Sequence, residues 1–238
     1  RILGVFISAP VFNRKDIFSS GKVVIIFWLS GLLIFVLPLP EALPSTSIEI
    51  LLSVIGELLI GFCIGFVIEI LFSSVEFAGN LMDTQAGLSA ASLLDPSSGR
   101  NITLISLMLT WIVILMFLIL DGHHLILTTL VKSFYLFPLG EPVNFSAGGM
   151  YIVRLMKDVF ELAVQMSAPI ILVVFLIDFA FGMLSRVAPQ INVFQLGFQI
   201  KPFISLIIFI AVLPGVIFSL VRLLDKAAED VLRLLAFF

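Results

Sequence analysis

Gln85–Asn101 reads QAGLSAASLLDPSSGRN. It is the one long stretch that does not look like lipid-buried helix, yet apolar runs stand on both sides of it. Small residues dominate: Gly87, Ser89, Ala90, Ala91, Ser92, Ser97, Ser98 and Gly99. Pro96 lacks a backbone donor and pushes Asp95 out of helical geometry. Lipid cannot satisfy the hydrogen bonds of such a backbone, so at membrane depth it must be buried in protein or line a water-filled cavity. By composition, an ordinary solvated loop between two spans is the first reading. A re-entrant element, a plug or a gate is the second.

The rest of the chain sets the class. Of 238 residues, 61% are hydrophobic and 12% charged, with a mean hydropathy of +1.23. Soluble domains carry about 25% charge, so this is an integral membrane protein built of helices, an all-α fold. There are 24 Phe but only 2 Trp and 2 Tyr. Trp and Tyr form interfacial belts, so the thin belt implies that much apolar surface faces other protein. A net charge of −3 is too small to imply a nucleic-acid partner, and none is expected. Cys63, the single cysteine, lies in an apolar run and reads as a small core residue. The chain opens on Arg1, and Ile2–Ala9 reads as the end of a helix, so a preceding segment is expected.

Six apolar runs are visible: 22–37, 48–72, 102–120, 124–137, 159–184 and 202–224. The second is expected to continue as an amphipathic helix to near Met82. The fourth follows a tight Asp121-Gly122 turn and is short for a full span, which needs about 20 residues. Residues 138–149 (PLGEPVNFSAGG) read as a linker. They divide the chain into an N-terminal block, 1–149, and a C-terminal helical hairpin, 150–238. If all six runs span, most Lys and Arg fall on one side, but Arg186 and Lys201 fall on the other. That conflict argues against a simple six-span arrangement.

Acids in greasy helices need an explanation. Glu57, Glu69 and Asp178 are the buried acidic candidates, since an acid at a bilayer centre costs about 2.5–3.5 kcal/mol. Glu69, Glu76 and Asp83 are seven apart and stack near one face of a continuous helix. The stripe reads as a protein interface or a hydrated path, or, as the first reading, the helix leaves the membrane near Phe72 and Glu76 and Asp83 lie in a solvated part of it. Gly61 and Gly65 form a GxxxG pair that lets two helices approach closely. His123 and His124, after Asp121-Gly122, read as polar residues at a capped helix start. A zinc site there would lack a fourth ligand and would join side chains about 100° apart. Arg186–Phe198, RVAPQINVFQLGF, is long and only moderately polar for a hairpin turn. It reads either as a solvated loop or as an elbow that docks on a partner. No HExxH, GxSxG or GxxxxGK[ST] motif and no Cys-His cluster is present, so neither an enzyme nor a bound cofactor is expected.

Together these stretches resemble the flagellar biosynthetic protein FliR family, whose injectisome relatives are the SctT-type export proteins. Ile2–Lys22, with Ala9-Pro10 and Phe12, resembles the family's N-terminal region. Gln85, Gly87, Leu88 and Ser89, followed by Leu93, Leu94, Asp95 and Pro96, resemble its Q-x-G-x-S…D-P loop. Asp121, Gly122, His123 and His124 resemble its D/N-G-H-H-L turn. Arg186, Pro189, Gln190, Asn192, Phe194, Gly197 and Phe198 resemble its R-x-x-P-Q-x-N-x-F-x-x-G-F elbow, and the Gly197-Phe198 ending favours the flagellar branch. The match covers nearly the whole chain in order.

The resemblance implies a subunit of the flagellar type III export gate in the bacterial inner membrane, at the flagellar basal body. Its implied architecture is a FliP-like helical block (1–149) fused to a FliQ-like helical hairpin (150–238). Its implied partners are FliP-like, FliQ-like and FlhB-like subunits, membrane lipid and exported flagellar proteins in transit. It also reverses the order of readings for the opening stretch: the loop at about 85–101 becomes a plug, and Arg186–Phe198 a subunit-contact elbow. The rival from another class is a proton- or solute-coupled transporter using Glu57, Glu69 and Asp178. A purely structural scaffold is a third.

Overall fold

The computed structural model describes residues 1–10, 12, 19–37, 46–89, 103–140 and 148–235. Seven helices run through them: α1 (Ile2–Ser8), α2 (Ser19–Val36), α3 (Ser47–Ala86), α4 (Leu104–Ile119), α5 (Gly122–Leu136), α6 (Gly148–Val187) and α7 (Val193–Leu235). No strand occurs among the described residues. The six apolar runs do not become six spans. Ser47–Ala86, Gly149–Val187 and Val193–Leu224 are each long and apolar enough to cross a membrane, and α4 with α5 adds a fourth only as one span bent by 64°. This is an all-α membrane protein.

Local chemistry explains the ends of α3. Thr46-Ser47-Ile48-Glu49 is a capping box, and the Thr46 N–H donates to Glu49 Oε2 at 3.2 Å. No proline interrupts the next 40 residues. At about 1.5 Å per residue the helix is about 60 Å long, twice the hydrocarbon core. It ends at Gly87, whose φ of 77° suits glycine. The Leu88 N–H donates to the Asp83 carbonyl at 3.0 Å and the Gly87 N–H to Thr84 at 3.2 Å, the two bonds of a Schellman cap.

The break between α4 and α5 sits at Asp121, in the left-handed region at φ 54°. Aspartate tolerates that conformation better than most residues. Its carbonyl accepts from Leu125 N–H at 3.1 Å and so starts α5. Its carboxylate makes no capping bond, so the capped start expected here rests on the backbone. Gly122 is required beside it, because a methyl there would enter the Phe117 ring.

The stretch expected to be a long turn, Arg186–Phe198, is mostly helix. α6 runs to Val187 and α7 resumes at Val193, well before the apolar run at Pro202. Asn192 explains the early start: its Oδ1 accepts from Gln195 N–H at 3.3 Å, an N-cap bond. Pro202 and Pro214 then lie inside α7, and Pro169 inside α6. Each removes one backbone donor without ending the helix.

The described chain divides into two compact units. One comprises Arg1–Phe72, Met116–Lys157 and Leu223–Phe238. Here α1 lies directly on α3, and the GxxxG pair is used within the chain. A methyl on Gly61 would enter the Arg1 backbone, and one on Gly65 would reach Ser8 Oγ. Ser8 Oγ donates to the Phe62 carbonyl at 3.0 Å. Ile60, Ile64, Val67 and Ile68 are buried with Val5, and Cys63 is buried beside them. Tyr151 donates to buried Asp230 at 3.0 Å, tying the start of α6 to the end of α7.

The other unit comprises Ser73–Leu115 and Asp158–Arg222. Val75, Ala78 and Met82 of α3 are fully buried, as are Ile105 and Leu109 of α4. Gly79 lets these helices touch, since a methyl there would meet Ser106 Cβ at 2.9 Å. Phe77 stacks on Phe160 at 5.4 Å.

Candidate functional site

At the junction of α3 and α4 a single acid organises the geometry. Asp83 is fully buried. Its Oδ1 accepts from Ile105 N–H at 3.1 Å and its Oδ2 from Ser106 N–H at 2.8 Å. The Thr103 hydroxyl also donates to Oδ2. These amides belong to the first turn of α4, where helical N–H groups have no intrahelical partner and the dipole favours negative charge. Ser106 Oγ donates to the Glu76 carbonyl at 3.3 Å. Asp83 was expected in a solvated part of α3; it is instead the N-terminal cap of another helix. Of the stripe seven residues apart, Glu69 is half-buried, Glu76 exposed and Asp83 buried. The heptad drifts by about 20° per repeat, and α4 covers only the last position.

Of the expected plug loop, Gln85 is an exposed residue of α3, and Gly87, Leu88 and Ser89 form a half-buried turn after it. Leu93, Leu94, Asp95 and Pro96 lie outside the described residues.

The turn between α6 and α7 has a different character. Lys201 and Asp178 form an ion pair between the two helices, with Asp178 half exposed. Asp178 was expected to be buried; its side chain is about half exposed among the described residues. Beside the pair lies a cavity of about 420 Å³, lined by Phe181, Phe194, Phe198, Gly197 and the Ala86-Gly87 end of α3. Gly197 is buried, while Arg186, Pro189, Gln190, Asn192, Phe194 and Phe198 are exposed. Phe194 shows 76% of its surface and stacks edge-on with Phe198 at 4.9 Å. Arg186 makes no hydrogen bond or ion pair among the described residues.

Glu57 is half-buried and neutralised. Arg1 pairs with it, with Arg1 Nη2 to Glu57 Oε1 at 3.0 Å. The same guanidinium donates to the carbonyls of Ser133 at 2.7 Å and Phe137 at 2.6 Å, capping the end of α5, and lies 4.3 Å over the Phe134 ring. A buried guanidinium with several donors used is a structural anchor. Nothing in the sequence pattern marked Arg1, since its partners are remote in the chain.

The Asp121, His123 and His124 ligand atoms lie within 4.8 Å of one another. Asp121 stands outside the helix, so the approach is closer than helical spacing alone provides. His123 Nε2 is 4.0 Å from Asp121 Oδ1, and the imidazoles meet edge to face at 4.4 Å. Asp121 and His124 are exposed. Three ligands are one short of a tetrahedral zinc set, and a solvated turn presents the same groups.

Comparison with known proteins gives consistent matches. The family model described as bacterial export proteins, family 1, matches residues 1–227. The flagellar biosynthetic protein FliR of Bacillus subtilis (strain 168) is 29% identical, over 98% of this chain and 90% of its own length. That of Pectobacterium carotovorum subsp. carotovorum is 33% identical, over 84% of this chain and 76% of its own. That of Escherichia coli (strain K12) is 26% identical, over 90% and 82%.

Proposed function

The chain belongs to the bacterial export proteins, family 1, and on that premise we propose that it is a core subunit of the flagellar type III export gate. In this reading it helps form and seal a protein-conducting channel in the inner membrane, at the flagellar basal body, and catalyses no reaction. Residues 1–149 act as a FliP-like block and 150–238 as a FliQ-like hairpin. Both pack against FliP-like, FliQ-like and FlhB-like subunits, the loop at about 85–101 plugs the channel, and exported flagellar proteins pass through it.

One observation supports an assembled subunit above all. Large apolar side chains are exposed on α2 and on the long helix α7, including Phe27 (81%), Phe35 (89%) and Phe203 (74%). Scattered apolar residues on a surface need no explanation, but faces of this extent require lipid or protein cover. The transporter alternative is not favoured. Glu57 and Asp178 are paired with Arg1 and Lys201 within the chain.

Co-expression tests the proposal. With FliP-like and FliQ-like chains the protein should be retained in a stable membrane complex; alone it should aggregate or be degraded. A monodisperse, thermally stable protein purified by itself in detergent, with no affinity for those chains, would count decisively against it.

A further inference from the structure

The turn between α4 and α5 collects chemistry that the export-gate reading does not use. Both histidines of the chain stand there, His123 and His124, next to Asp121. One ligand atom from each of the three lies within 4.8 Å of the other two. The left-handed backbone of Asp121, at φ 54°, sets its carboxylate 4.0 Å from His123 Nε2. Two ligands of one tetrahedral zinc stand about 3.4 Å apart, given bonds of about 2.0–2.2 Å. Asp121 and His124 are exposed and His123 is half-buried, so small side-chain rotations close that gap. The turn itself is anchored, because Gly122 is buried against the Phe117 ring.

Competing hydrogen bonds do not occupy these groups. The Asp121 carboxylate makes no capping bond to α5. His123 Nδ1 is shielded from solvent and has no hydrogen-bond partner among the described residues, so nothing there fixes the tautomer. A closed structural zinc site needs a fourth protein ligand, but an open one keeps that position for water.

We propose that Asp121, His123 and His124 form an open binding site for a divalent transition metal of the zinc class, with water completing the coordination. Two imidazoles and one carboxylate suit zinc, nickel or copper, whereas magnesium and calcium prefer all-oxygen sets. The helix dipole at the start of α5 opposes a cation, and the charge of Asp121 offsets it. The ion ties a residue outside α5 to the first turn of that helix, and so braces the 64° bend between α4 and α5.

The test uses the full chain, purified through a histidine-free tag with whatever subunits accompany it. It is stripped with a chelator and titrated with Zn²⁺ alone. The wild type should take up one Zn²⁺ per chain more than a variant carrying His123→Ala with His124→Ala; the subtraction cancels sites on any other subunit. Excess Mg²⁺ should not displace that ion. Co²⁺ in its place should give the visible absorption of a four-coordinate site, and the double variant should lose it. Asp121→Asn is the conservative change, since asparagine also tolerates the left-handed backbone. It should weaken Zn²⁺ binding about tenfold or more, the scale seen even for an outer partner of a ligand. If the double variant does not accumulate, His124→Gln carries the same comparison. Equal zinc uptake by wild type and the histidine variants overturns the proposal. So does binding that Asp121→Asn leaves unchanged, which reduces the turn to two surface imidazoles. Neither result touches the export-gate proposal, which rests on other residues.

Discussion

The α3–α4 junction and the α6–α7 turn use similar residues to opposite ends. At the junction, an acid is fully buried and met by three donors of its own chain. At the turn, Asp178 stays half exposed beside Lys201, Phe194 and Phe198 face outward, and Arg186 has no partner among the described residues. A buried polar group must find its hydrogen bonds within the fold or destabilise it by about 1–3 kcal/mol. An exposed one is free of that constraint and available to another surface. The junction is thus a finished interior, while the turn leaves its polar and aromatic side chains exposed.

Glycine substitutions break the comparison most sharply. Gly79→Ala should destabilise the protein by about 1–3 kcal/mol, the scale of overpacking, because the added methyl meets Ser106. A lower thermal midpoint of the purified complex would report it; an unchanged midpoint would show that the junction is looser than a finished interior. Arg186→Ala should leave chain stability within about 0.5 kcal/mol, as for other surface changes. It should nevertheless lower complex yield and motility severalfold. Arg186→Lys should recover only part of the loss if the forked guanidinium geometry matters. Wild-type assembly and motility in Arg186→Ala would remove this residue from the interface. Gly182→Ala should stabilise the chain slightly, since no atom lies within 4 Å of a methyl there. Helix propensity favours the alanine by about 0.5–1 kcal/mol. If yield falls in the complex while the chain is stabilised, a partner packs closely on that face. If yield rises as well, the face is open.

The different fates of the acids show how far sequence reasoning reaches. Spacing placed Glu69, Glu76 and Asp83 near one face of a helix, and the helix is there. It did not distinguish their surroundings: α4 covers the Asp83 carboxylate, whereas Glu76 stays exposed. The stretch from Arg186 to Phe198 was left with two readings for a related reason. Polarity suggested a loop, whereas the Asn192 cap starts α7 immediately after the turn.

Composition and hydropathy by themselves determined an all-α membrane protein, because uncharged apolar runs this long have no other stable setting. Ordered motifs across the chain pointed to its family, and small residues at Gly61 and Gly65 announced a close helix approach. Tertiary structure alone decided which helix approaches there, that Arg1 neutralises Glu57, and that Asp83 caps α4. Those facts join residues far apart in the chain. Hydrophobicity is a sum over residues and survives in the sequence; hydrogen-bond satisfaction is a property of pairs, and the pairs exist only after folding brings them together.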